Sequence, residues 1–244
     1  MLNSIEVINL SKSYKTNKAV KDISFNVNEN EVIGLLGPNG CGKTTTIAMI
    51  LGLLKPTSGK ILINKKNIEN HRIELLHKMN FISPYIELPK KLTVKQNLIV
   101  YAKLYNVKNI NNRIDYLVST LRLNKFINNV TGELSSGQKN RVSLAKSLIN
   151  DPTVLLLDEP TASLDPETGD FIRSFLEDYK KQKKIAILLA SHNMDEVKRL
   201  CTSVLMMKNG KIIDRGTPSR LIEKHGRTNL EEVFLKLART EDEL

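Results

Sequence analysis

The sequence predicts an α/β fold, and three observations predict it. Almost wholly apolar runs at 31–36, 154–157 and 185–190 suit strands buried on both faces of a sheet. Alternating runs at 5–10 and 23–27, both within the first forty residues, suit strands with one covered face. Between 89 and 150 the period changes, and apolar residues recur at helical spacing.

The elements follow in order. After the alternating strands comes the apolar run Glu31-Val32-Ile33-Gly34-Leu35-Leu36, then a glycine-rich turn, then a helical stretch from 43 to about 53. Lys55-Pro56-Thr57-Ser58-Gly59 breaks that helix, and 60–63 returns to strand. Leu98, Tyr101, Ala102 and Tyr105, then Ile114, Leu117, Val118 and Leu121, mark helices of an inserted lobe. The core resumes with strands at 154–157, 185–190 and 203–207. Asn209-Gly210 predicts a tight hairpin joining the last of these to 211–214. Thr228-Asn229-Leu230-Glu231-Glu232 reads as a capped start of a closing helix. The expected division is a core of 1–88 and 151–244 with a helical subdomain at 89–150.

Composition narrows the class. The 244 residues are 41% hydrophobic and 26% charged, the balance of a globular protein. No apolar run is long enough to span a bilayer, and residues 1–10 mix apolar side chains with Asn, Ser and Glu, so a cytoplasmic chain is expected. Two cysteines, Cys41 and Cys201, make no disulfide scaffold, and no Cys/His spacing points to zinc. The net charge of +11 comes from scattered Lys and Arg, with one short run at Lys180, Lys181, Lys183 and Lys184. Aromatics do not interleave with them, so no nucleic-acid partner is expected.

Gly37-Pro38-Asn39-Gly40-Cys41-Gly42-Lys43-Thr44 matches the phosphate-loop pattern G-x-x-x-x-G-K-[ST], with Thr45 next. A chance match in a chain this long is on the order of one per cent. The glycines let backbone N–H groups turn inward on a phosphate, Lys43 supplies a cation, and the Thr44 hydroxyl can ligate Mg²⁺. The apolar run at 154–157 ends in Asp158 and Glu159. The first can hold Mg²⁺ and the second can polarise a water for attack on a γ-phosphate. ATP and Mg²⁺ are therefore the expected ligands, on a P-loop NTPase core. Within the phosphate loop, Cys41 is expected near nucleotide, with a thiol pKa lowered by the helix N-terminus.

Leu134-Ser135-Ser136-Gly137-Gln138 resembles the LSGGQ signature of ABC ATPases, although Ser135 or Ser136 alone would also make a plain helix cap. The rest of that family's order is present. Ala162-Ser163-Leu164-Asp165 is similar to its D-loop, His192 after Ser191 to its switch histidine, and Tyr14 to its adenine-stacking aromatic. The resemblance implies two nucleotide-binding subunits paired head to tail, as a homodimer or a heterodimer. ATP would lie between one phosphate loop and the partner's Ser135, Ser136, Gly137 and Gln138. It implies catalytic roles for Glu159, His192 and Lys43, a D-loop role for Asp165, and a separate transmembrane permease subunit. It places the chain in the cytoplasm, peripheral on the inner face of the cell membrane. Leu230-Glu231-Glu232-Val233-Phe234 is similar to the tail of exporter-type cassettes, which favours export.

Two positions depart from the pattern. Ser136 stands where glycine is usual. Pro84 stands where the family carries a glutamine that contacts Mg²⁺ and reports to the membrane partner, and Gln96 lies too far along to replace it. Ser83-Pro84-Tyr85 with Leu88-Pro89 reads as a stiff apolar loop suited to docking a partner. One rival is a soluble ABC-type ATPase acting on nucleic acid or ribosomes, whose marks would be a coiled-coil insertion or a second cassette. Another is a small-molecule P-loop kinase, which has no use for 134–138.

Overall fold

The computed structural model describes residues 3–15, 17–84, 86–162 and 164–239. The chain enters through two long strands, β1 (Asn3–Tyr14) and β2 (Asn17–Asn28), paired antiparallel. Strand β3 (Val32–Leu36), buried along its whole length, runs into the glycine turn and helix α1 (Lys43–Ile50). The expected helix to 53 stops three residues early. Gly52 takes a left-handed φ of 64°. Its N–H bonds the Met49 carbonyl and the Leu53 N–H bonds the Ala48 carbonyl, which closes the helix in a Schellman turn.

Strands β4 (Ser58–Ile63) and β5 (Lys66–Asn67) follow, then helix α2 (Ile68–Leu76), bent at His71. Strand β6 (Met79–Ile82) leads to the inserted helices α3 (Val94–Leu104), α4 (Ile110–Thr120) and α5 (Ser136–Leu148). Strand β7 (Val154–Asp158) and helix α6 (Pro166–Gln182) return to the core. They are followed by β8 (Ala186–Ala190), α7 (Met194–Leu200), β9 (Ser203–Lys208) and β10 (Lys211–Gly216). Helices α8 (Pro218–His225) and α9 (Leu230–Arg239) close the described chain, the second with Asn229 Oδ1 accepting from the Glu232 N–H at 2.9 Å.

Among the described residues there are two sheets. One is antiparallel, ordered β2-β1-β4-β5. The other runs β10-β9-β3-β8-β7-β6 and is parallel except for the β9–β10 hairpin. That hairpin turns at Asn209 and Gly210, with φ of 47° and 81°, as the dipeptide predicts. Strands β3, β7 and β8 are buried on both faces, which is why each reads as a continuous apolar run. One core cluster packs β1, β2 and α1 against one face of the parallel sheet; the other packs α3 to α6 against the opposite face. The result is a P-loop α/β core with an antiparallel β subdomain and an inserted helical subdomain. Parallel strands carry their C-terminal ends to one edge, where such sheets bind ligands. Here Leu36, Ile82, Asp158, Ala190 and Lys208 end there.

Candidate functional site

The turn after β3 is shaped by close approach. A Cβ at Gly37 would strike the Met207 carbonyl and the Cys41 sulfur. Gly42 has φ 110°, and a Cβ there would lie 2.6 Å from the Ala19 carbonyl oxygen. Gly42 also occupies the N-cap of α1, where no side chain caps the helix. The first N–H groups of α1, at Lys43, Thr44 and Thr45, therefore lack helical partners and face outward from a positive helix end. Pro38 is half-buried, Asn39 and Gly40 are exposed, and so is Thr44, with Thr45 half-buried behind it.

Lys43 is 8% exposed and folds back over the turn. Its ammonium donates to the carbonyls of Gly37 at 2.6 Å and Pro38 at 3.2 Å, with Cys41 Sγ at 3.9 Å. The cation thus sits inside a ring of backbone with no carboxylate paired to it among the described residues, ready for an anion.

Asp158 ends β7 opposite Ala190 of β8, which in turn pairs with Leu35 of β3. Burial, then the adjacent Glu159 charge, push its carboxyl above the ordinary aspartate range against the pull of Lys43 and His192. Two acids side by side in a buried site are short of positive charge. The described residues form no group of three His, Cys, Asp or Glu able to cage a metal. A Mg²⁺ ion, which keeps waters and takes one or two carboxylates plus phosphate oxygens, would fit that donor set, and Asp158 and the Thr44 hydroxyl are the residues that could hold it.

Glu159 is held in a left-handed backbone conformation, φ 51°, by its N–H bond to the Ala190 carbonyl at 2.8 Å. Such a conformation costs a non-glycine residue about 1–3 kcal/mol and persists only where surroundings enforce it. It turns the carboxylate out of the sheet to meet His192, whose Nε2 lies 3.2 Å from Oε1. Both side chains are about a third exposed, so both can reach a ligand.

The structure brings Lys43, Asp158, Glu159 and His192 together, while the signature meets this group only through Ser136, which shares a cavity wall with Glu159. Ser135 caps α5 in a reciprocal box: its hydroxyl accepts from the Gln138 N–H at 3.3 Å, and the Gln138 side chain accepts from the Ser135 N–H at 3.0 Å. Ser136 is exposed and Gly137 buried in the same first turn. Among the described residues no hydrogen bond or ion pair joins 135–138 to the phosphate loop. Asp165 caps α6, accepting from the Thr168 N–H at 2.9 Å, and that bond holds its carboxyl below the usual range. Tyr14 ends β1 half-exposed, with the Lys12 ammonium 5.2 Å from its ring centre. Ser163 and Tyr85 lie outside the described residues, and with them the docking contact expected at Tyr85. Ser83 and Pro84 line a cavity of about 310 Å³ that also reaches Ser136, Lys139 and Glu159.

Two residues correct the sequence reading or add to it. Cys41 is 3% exposed, and burial pushes its thiol up, outweighing the neighbouring Lys43 charge, where a lowered value was expected. A raised pKa leaves less thiolate at neutral pH. Alkylation of Cys41 is therefore expected at least about 10-fold slower than of a free thiol, and slower again with ATP present. Labelling of Cys41 as fast as a free thiol, read by mass spectrometry, would refute this, with Cys201, buried too and its thiol pushed up, as the comparison. The addition is Glu196, wholly buried and bonded to Ser191 and Thr161 beside the site. The pattern Asn193-x-x-Glu196 carries a helix-cap signal that hides its second use.

Comparison with known proteins gives one answer. The family profile described as ABC transporter matches residues 20–162. The chain is 35% identical to the ABC transporter ATP-binding protein NatA of Bacillus subtilis, covering 92% of this chain and 93% of that one. It is 38% identical to the Nod factor export ATP-binding protein I of Rhizobium johnstonii, over 91% of this chain and 71% of that one. Among solved structures, one described as the ATP binding subunit of an ABC transporter superposes with a TM-score of 0.88 at 27% identity, covering 96% of this chain and 99% of the other. With a P-loop fold, a phosphate loop and a signature turn opening α5, the chain belongs to the ABC transporter family, among its ATP-binding subunits.

Proposed function

We propose that this chain hydrolyses ATP to ADP and phosphate and so powers export through a separate membrane-spanning permease. The observation that carries the ATPase reading is the Glu159–His192 pair, 3.2 Å apart and turned out of the sheet beside Asp158. Lys43 and the N–H groups opening α1 bind the phosphates, and Tyr14 offers its ring to the base. Glu159 takes the proton of the attacking water, and His192 holds that carboxylate in place. Mg²⁺, when bound, offsets charge on the transferring phosphoryl group, held by Asp158 and Thr44.

Among the described residues Ser135 to Gln138 make no hydrogen bond or ion pair with their own phosphate loop, which fits a site completed by a second nucleotide-binding subunit. The direction of transport rests on relatives: one is a Nod factor export protein, and a bacitracin transport ATP-binding protein of Bacillus licheniformis is 34% identical. No described helix is long and apolar enough to cross a membrane. Relatives that are ATP-binding proteins of transporters support a separate spanning partner, with this chain on its cytoplasmic side. Tagged chain drawn from detergent-extracted membranes is expected to retain a multi-spanning polypeptide in fixed ratio and to show ATPase activity. Recovery only from the soluble fraction, bound to ribosomes or nucleic acid, would overturn the transport reading and favour the rival class.

A further inference from the structure

Glu196 lies one turn into α7 and has no exposed surface. Its backbone N–H donates to the cap residue Asn193 at 3.0 Å. In a capping box the side chain would turn back to that same cap. It does not. Oε2 accepts from the Ser191 hydroxyl at 2.5 Å, and Oε1 accepts from the Thr161 hydroxyl at 2.9 Å. The Ser191 oxygen accepts in turn from the Asn193 N–H at 3.1 Å. Each carboxylate oxygen therefore grips a different loop, one leaving β8 and one leaving β7.

Those are the loops that carry the reacting pair. Ser191 immediately precedes His192, and Thr161 lies two residues after Glu159. The loops are joined at their base by the Glu159 N–H to Ala190 carbonyl bond, and at their tips by the 3.2 Å contact of Glu159 with His192. Glu196 supplies a third tie between the two. A buried acid is a costly way to fill space. Burial pushes this carboxyl up, while the two hydroxyls and the Arg173 charge pull it down, and the Glu159 charge pushes it up again. Two parallel acceptor oxygens on one rigid carbon are what the geometry uses. A carboxylate accepts from a hydroxyl at each of these two positions, whereas an amide presents an acceptor at one and a donating NH₂ at the other, so one hydroxyl must reverse its role.

We infer that Glu196 is a positioning residue: acting through Thr161 and Ser191, it sets the spacing of the loops that bring Glu159 and His192 together. It does not touch the nucleotide, and the inference rests on the ATPase reading above.

Its test is a cycle of variants in the purified full chain, with turnover, KM for ATP and thermal midpoint measured for each. Glu196→Gln is expected to lower kcat about 10-fold or more with KM held within about twofold, because geometry and not nucleotide binding is lost. Ser191→Ala, which cuts one tie, is expected to fall between wild type and Glu196→Gln. In a His192→Ala background, Glu196→Gln is expected to cost less than about twofold further, since residues acting as a unit are non-additive. An unchanged kcat in Glu196→Gln, or the same fold loss with and without His192, would overturn the inference. If Glu196→Gln fails to fold, Ser191→Ala and Thr161→Val decide it by the same criterion. Full turnover in His192→Ala would instead overturn the reading of the site, and this inference with it.

Discussion

Glu159→Gln is expected to lose ATP turnover by about 10²–10⁴-fold while still binding ATP. The change removes the proton acceptor and keeps the shape. The backbone bond to the Ala190 carbonyl is unaffected, so the left-handed turn at Glu159 stays as it is. With the γ-phosphate never cleaved, the grip between one phosphate loop and the partner's Ser135 to Gln138 is not released, and the closed pair accumulates. Removing the Glu159 charge also removes one cause of the raised Asp158 carboxyl, which favours its ionised, metal-holding form. Size-exclusion chromatography of the variant should show a dimer with Mg·ATP and a monomer with ADP. A strict monomer at high concentration with Mg·ATP would reject pairing of two copies of this chain and point to a sister subunit.

Lys43→Ala is expected to abolish turnover and to weaken nucleotide binding together. The ammonium is the cation inside the turn, and loss of one such preorganised group costs about 10²–10³-fold in rate. The structure adds a second effect. Lys43 bridges the Gly37 and Pro38 carbonyls, so its removal leaves the turn without its internal brace. An unmade buried hydrogen bond costs about 1–3 kcal/mol, and a modest fall in thermal midpoint should accompany the lost activity. Steady-state turnover equal to wild type would show that this turn is not where the chemistry occurs.

The parts legible in the sequence were those with one dominant cause. Strands β3, β7 and β8 are buried on both faces, so burial dominates their composition up to the Asp158 that ends β7. Asn209-Gly210 could turn the chain in few other ways. The phosphate loop and the Asp158-Glu159 pair carry their chemistry in consecutive residues. Less legible were features where two demands meet. Helix α2 was not read, because its buried positions are few and His71 breaks its period. Cys41 was expected to titrate low from its place at a helix N-terminus. Burial under Gly37 reverses the sign against the pull of Lys43, and only the folded surroundings reveal that balance. Glu196 was hidden by a valid cap pattern, and its partners lie 5 and 35 residues away. The contact of Glu159 with His192 was legible as roles and not as a distance, since the left-handed turn that makes it breaks the rule for a non-glycine residue.

The phosphate loop is also held from outside. The Ala19 carbonyl wedges against Gly42, and the Gly210 N–H donates to the Cys41 carbonyl at 3.1 Å. The Lys21 N–H bonds the Gly210 carbonyl at 2.8 Å, and Thr202 ties back to Val32 across a separation of 170 residues. The motif leaves the ribosome well before the hairpin that walls it. During synthesis the loop is therefore a sequence without a receptacle, and long-range closure of this kind is slow. Nucleotide binds the completed fold and stabilises it by mass action, so a half-made subunit gains nothing from the cell's ATP.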